Sequence, residues 1–269
     1  MIKSILMKRR FSNHYSLARL PLLLIAALAL TGALAADPRA PLPFSAEYDV
    51  YRNGKKIAQS VIELTRTVDD QYRYTLETRG KKGLARMLGA TDSETASFVW
   101  RNGRLVPSVY QSSNKVGPRT RSWQANFDWQ SGIVSGTNND TPFELPLDKP
   151  VLDPVTLKFS LMNAAAHGST EMNYQLLDKD HIELHKYQAT SEQPLQTTIG
   201  CTASIKIDRI REQSTRYTST WLAPKLGYNL VRLDHGKRDG NQMSMQITRL
   251  TIDGQVVELQ SECTGNDNG

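Results

Sequence analysis

The chain has 269 residues with 33 Lys+Arg against 27 Asp+Glu, yet the first 35 residues hold five of the cations and no acid. Without them 28 cations face 27 acids, a near-neutral balance that argues against a nucleic-acid partner. The following 234 residues can bury a sizeable core and hold no apolar run long enough for a membrane-spanning helix.

In chain order, the first segment reads as a secretory signal peptide. Lys3, Lys8, Arg9, Arg10 and Arg19 form a basic region, residues 20–30 an apolar run too short to cross a bilayer, and Ala33-Leu34-Ala35 a small-residue cleavage site. Cleavage after Ala35 leaves Ala36 as the mature N-terminus. Arg9-Arg10-Phe11 resembles a twin-arginine signal, whereas the Leu-rich run fits the general secretory route. With no cysteine near the cleavage point, a lipid anchor is not expected. The expected destination is an oxidising compartment, the periplasm.

From Phe44 onward, period-two alternation dominates, the signature of strands with one apolar and one polar face. Residues 122–129 show it clearly: Trp123, Ala125, Phe127 and Trp129 share one parity and Ser122, Gln124, Asn126 and Asp128 the other. Asn53-Gly54 and Asn102-Gly103 are type I′ hairpin pairs. The pattern predicts mainly β structure: about a dozen strands in a long antiparallel meander that forms a curved sheet or incomplete barrel. A single β domain is expected over 36–269, with its core at about 44–254 and a flexible C-terminal tail.

Residues 79–89 mix Arg79, Lys81, Lys82 and Arg86 with Leu84, Met87 and Leu88. The segment reads as a solvated loop or strand extension, with contact to anionic lipid through Lys81, Lys82 and Arg86, or a lid role, as the alternatives. Residues 137–150, rich in Asn, Asp and Pro, read as a crossing loop. One helix is predicted at about 154–166: Asp153 caps it, Pro154 suits its first position and Gly168 ends it. Val155, Phe159, Met162 and Ala166 form the stripe expected to bury against the sheet.

His181-Ile182-Glu183-Leu184-His185 places His181, Glu183 and His185 on one strand face. Two imidazoles and a carboxylate are a weak zinc candidate, and the same spacing suits a half-exposed strand with its polar face in water. Cys201 and Cys263 are the only cysteines. They are expected to bridge, with two free thiols as the alternative, and closing the loop would stabilise by roughly 4 kcal/mol in the chain-entropy model.

The opening at 48–54, Leu105-x-Pro107-x-x-Tyr110, the helix start at 152–157 and Trp221-Leu222-Ala223-Pro224-Lys225-Leu226-Gly227-Tyr228 occur in order. Together they resemble the uncharacterised periplasmic family called domain of unknown function 3108, over roughly 44–254. Where that family carries Pro-Val after the Trp strand, this chain has Asn229-Leu230-Val231. The resemblance implies an envelope location and supplies no catalytic residues. A meander with one helix is also similar in architecture to the incomplete barrels of bacterial lipoprotein carriers.

No catalytic or cofactor motif is present: G-x-S-x-G, H-E-x-x-H, a Walker loop and G-x-G-x-x-G are all missing. The expected function is a noncatalytic envelope protein binding a lipid or other hydrophobic ligand in a concave sheet. Trp123, Phe127, Trp221 and Tyr228 are its candidate lining, and core packing is the alternative for Trp123, Phe127 and Trp221. An interaction or assembly module for another envelope protein is the second reading, and a hydrolase or metal enzyme the third.

Overall fold

A computed structural model describes residues 40–263 except 68 and 70. The signal peptide expected at 1–35 and the last six residues lie outside that range. Strands β1 (Phe44–Arg52), β2 (Lys55–Arg66), β3 (Gln71–Gly80), β4 (Thr91–Arg101) and β5 (Arg104–Val116) open the chain, with a short helix, α1 (Gly83–Met87), between β3 and β4. Strands β6 (Arg119–Asp128), β7 (Ile133–Asn138), β8 (Thr141–Pro146) and β9 (Val151–Leu152) lead into helix α2 (Pro154–Ala166). After it come β10 (Glu171–Asp178), β11 (His181–Ala189), β12 (Gln193–Thr197), β13 (Gly200–Ile210), β14 (Arg216–Ala223), β15 (Asn229–Lys237), β16 (Gln242–Ile252) and β17 (Gln255–Val256).

The expected antiparallel meander is present, with 17 strands among the described residues rather than about a dozen. It runs as two arms from one central strand: β1 pairs with β2 on one edge and with β16 on the other. One arm continues through β3–β8, the other back through β15, β14, β13, β11 and β10. The last step, β10 to β9, is parallel. The arms do not join, so the sheet curls into a barrel that stays open. Bulges at Glu47/Tyr48, Val50/Tyr51, Ser97/Phe98 and Trp221/Leu222 supply curvature.

Both Asn-Gly pairs turn as predicted, with positive φ at Asn53, Gly54, Asn102 and Gly103. Residues 137–150, expected to cross as a loop, instead complete β7 and form β8. Asn138, Asn139 and Asp140 belong to the hairpin between these strands, where Asn139 and Asp140 take φ of 47° and 68°. The segment at 79–89 is not a plain loop, since it contains α1.

Helix α2 has its predicted bounds and cap. The Asp153 carboxylate accepts from the backbone N–H of Val155 and Thr156, and the Thr156 hydroxyl accepts from the N–H of Asp153. Its burial differs from the predicted stripe, for Ala166 is exposed whereas Leu157, Leu161 and Ala165 are buried. The reason is position: Val155 and Phe159 join the main core, and Leu157, Leu161 and Ala165 a second one against β10, β11 and β13. A helix enclosed on two sides is apolar nearly all round.

The tail up to Cys263 is tied down. Gln260 accepts a hydrogen bond from the Cys201 N–H at 2.7 Å, and Cys201 and Cys263 are bonded, with Cα atoms 5.0 Å apart. Thiol labelling of denatured, unreduced protein should therefore tag no cysteine. Cys263→Ser should lower stability by roughly 4 kcal/mol in urea unfolding, the chain-entropy value for this loop.

Candidate functional site

The inward residues of the sheet change character along the barrel axis. At one end Leu64, Tyr72 and Phe98 pack with Phe159 of α2, whose ring lies 5.3 Å from Phe98 and 6.1 Å from Tyr74. Toward the other end the filling stops, and a cavity of about 1040 Å³ opens. Its floor is Tyr48, Ile62, Tyr74, Tyr110, Phe159 and Met162.

Strand register makes the two walls unlike. Ser60, Thr78, Asp92 and Asn114 face one another across β2–β5, with Ser60 bonded to Thr78 at 2.7 Å and Asn114 donating to Asp92 at 3.2 Å. At the level of Ala58, the other arm presents Val50, Met245, Leu233 and Thr220. One wall is polar and the other is mostly apolar.

A charge pair sits at the floor. Lys158 of α2 reaches the Glu94 carboxylate and donates to the Tyr74 hydroxyl at 3.3 Å, and the Tyr110 hydroxyl donates to Glu94 at 2.7 Å. Protein surrounds Lys158, yet 41% of its side chain is accessible because it faces the cavity. Burial opposes its charge, but Glu94 and Tyr74 outweigh that and hold its pKa above the ordinary lysine range. Burial pushes the Tyr74 phenol up to about 12.

The mouth is basic and is partly built by α1. Lys55, Lys56, Lys82 and Lys115 line it together with Leu84 and Leu88. Gly80 lets α1 fold back onto β3, since a Cβ there would meet the Ala85 carbonyl oxygen at 2.6 Å.

None of the four aromatic residues expected at the ligand face lines this cavity. Trp123 is buried against Tyr110, with ring centroids 4.5 Å apart, and Phe127 is buried in the same core. Trp221 is half-buried between Lys206 and Arg232, whose cationic groups lie 5.6 and 5.0 Å from its ring. Tyr228, half-buried against the second core, holds φ of 61° just before β15. There the Asn229 side chain donates to the Leu226 carbonyl at 2.8 Å.

His181, Glu183 and His185 do not form one solvated face. His185 is buried while Leu184 is exposed. Its Nδ1 lies 3.1 Å from the Tyr187 hydroxyl and its Nε2 2.5 Å from Glu183. The Arg209 guanidinium, 2.6 Å from the same Nε2, already places a cation there. Burial lowers the His185 pKa, and the hydrogen bond from His185 lowers that of Glu183. His181 and Glu183 do approach Asp178, an accessible trio with ligand atoms within 4.8 Å of one another.

A family model described as a protein of unknown function, DUF3108, matches residues 47–247. No curated protein matches the chain significantly. Among solved structures, a β-barrel-like protein of domain of unknown function DUF1849 from Brucella abortus is similar, at 12% identity and a TM-score of 0.52. That match covers 78% of this chain and 98% of the other, and supports the barrel-like fold alone. A candidate exported protein with a YmcC-like fold from Bacteroides fragilis matches at 9% identity, TM-score 0.31, over 78% of this chain and 96% of its own.

Near the Lys158–Glu94 pair, Asp153 is fully buried and, among the described residues, its Oδ2 has no hydrogen-bond partner. Burial raises its pKa to about 7; the N–H groups of Thr156 and Val155 pull it down, and Glu94 adds to the rise. The folded chain therefore holds this proton more tightly than the unfolded chain between about pH 4 and 7, and the associated stability is lost as pH rises through that window. Thermal melts across it should show a falling difference between wild type and Asp153→Asn, whose neutral amide keeps the cap without titrating.

Proposed function

The chain belongs to the DUF3108 family, and we propose that it is an exported, noncatalytic envelope protein that holds the apolar part of an amphiphilic molecule in this cavity. The carrying observation is the cavity itself. At about 1040 Å³ it stands at the upper end of ligand pockets, roughly 300–1,000 Å³, and it opens at one end of the barrel. Apolar area removed from water would supply most of the affinity, about 25 cal/mol per Å². The unlike walls favour a ligand with both kinds of surface: a chain lying along Val50, Leu233 and Met245, and polar groups facing Ser60, Asp92 and Asn114.

The floor's ionisable groups are engaged with one another. Glu94 is held by Lys158 and Tyr110, which suits orientation of a polar group better than proton transfer. The leader-like first 35 residues and the bonded cysteine pair support export to an oxidising compartment, for which we take the periplasm.

Native mass spectrometry of protein purified from the periplasm, beside an organic extract of the same sample, should find a stoichiometric amphiphile. Leu76→Trp and Met245→Trp, which fill the cavity from opposite walls, should each reduce retention at least tenfold with melting temperature kept within a few degrees. A wild-type protein that purifies empty and takes up no added fatty acid would sink the reading.

A further inference from the structure

We infer that the cavity mouth is a docking surface for an anionic lipid bilayer. Three chain segments meet there: 52–56 between β1 and β2, 81–88 around α1, and 115–121 between β5 and β6. They form one platform through backbone hydrogen bonds. The N–H groups of Lys81 and Lys82 donate to Ile57 at 2.8 and 3.2 Å, and that of Gly117 donates to Leu88 at 2.9 Å.

These segments hold nine Lys and Arg residues and no Asp or Glu. Lys56 is paired with Asp49 at 2.5 Å, and among the described residues the other eight have no acid within salt-bridge distance. Residues 36–269 are almost neutral as a whole, with 28 cations against 27 acids, so this end of the barrel concentrates positive charge. Within the same platform Leu84, Met87 and Val116 are 63%, 76% and 44% exposed.

Apolar tips set among unpaired cations match a bilayer interface, where phosphate headgroups meet the charge and acyl chains the tips. An acidic protein surface would meet the charge yet leave the tips without a partner. The cavity mouth supplies continuity: Leu84, Leu88 and Val116 both line it and stand at the platform, so a docked barrel would open onto the lipid. The inference deepens the amphiphile-binding reading by naming where the cavity loads, but its test needs no ligand to be found.

The test is flotation of the mature protein with phosphatidylglycerol-rich vesicles and with pure phosphatidylcholine vesicles. Binding to the anionic vesicles should be at least tenfold stronger, and should fade near 1 M salt, where the Debye length falls to about 3 Å. Leu84→Ser with Met87→Ser, and separately Lys81→Glu with Lys82→Glu, should each cut anionic binding about tenfold. All four positions are exposed, and circular dichroism melts should confirm folding. Arg104→Glu, in the hairpin following the second Asn-Gly turn, should bind as wild type does. Equal binding to both vesicle types, or variants that float like wild type, would overturn the inference. Binding to neither would also overturn it and turn attention to an acidic protein partner.

Discussion

Helix α2 is inserted into the concavity of a sheet that never closes, and how far it fills the concavity decides where core ends and cavity begins. Its start is fixed by the reciprocal bonds between Asp153 and Thr156, both fully buried. From that anchor Phe159 meets Phe44, Tyr74 and Phe98, and Lys158 is delivered to Glu94. Removing a helix from an open barrel would expose two cores at once, since α2 has residues in both. The helix thus serves as both plug and floor.

The cavity differs from a generic greasy slot because its polar groups belong to consecutive strands of one arm. Ladder geometry carries Ser60, Thr78, Asp92 and Asn114 to one height, and each finds a partner in the neighbouring strand. Such satisfied polar groups can face an apolar space without the penalty of an unpaired donor or acceptor. The Lys158–Glu94 pair follows the same rule at larger stake, for each charge is held by the other and by a tyrosine hydroxyl.

Local chemistry was legible in the sequence wherever a residue type imposes a backbone state. The two Asn-Gly turns, the Asp153–Pro154 helix start and the Gly168 stop all occupy their expected places. The strands of 137–150 were hidden because Asn139 and Asp140 look like loop residues and are in fact the hairpin turn between β7 and β8. Period two shows which side chains point inward but not how far along the barrel they sit. Hence Trp123 and Phe127 read as a lining and lie in the core. A better signal for the site was present: polar residues at inward parity, Ser60, Thr78, Asp92, Glu94 and Asn114, and a lysine within an otherwise uncharged helix. The His181–His185 pattern misled for the related reason that a buried histidine with polar partners has the same spacing as an exposed one.

The ladder pairing also has a consequence in time. Strand β1 is synthesised before every other strand, yet one of its two partners, β16, is among the last segments of the chain, with Phe44 set against Ile252. Until that strand is made, β1 has only β2 to pair with and its other edge lacks a partner. Pairings of such sequence separation fold slowly and expose aggregation-prone edges while they wait. A chain of this topology therefore keeps a strand edge unpaired for longer during its synthesis than a helical protein of equal length would.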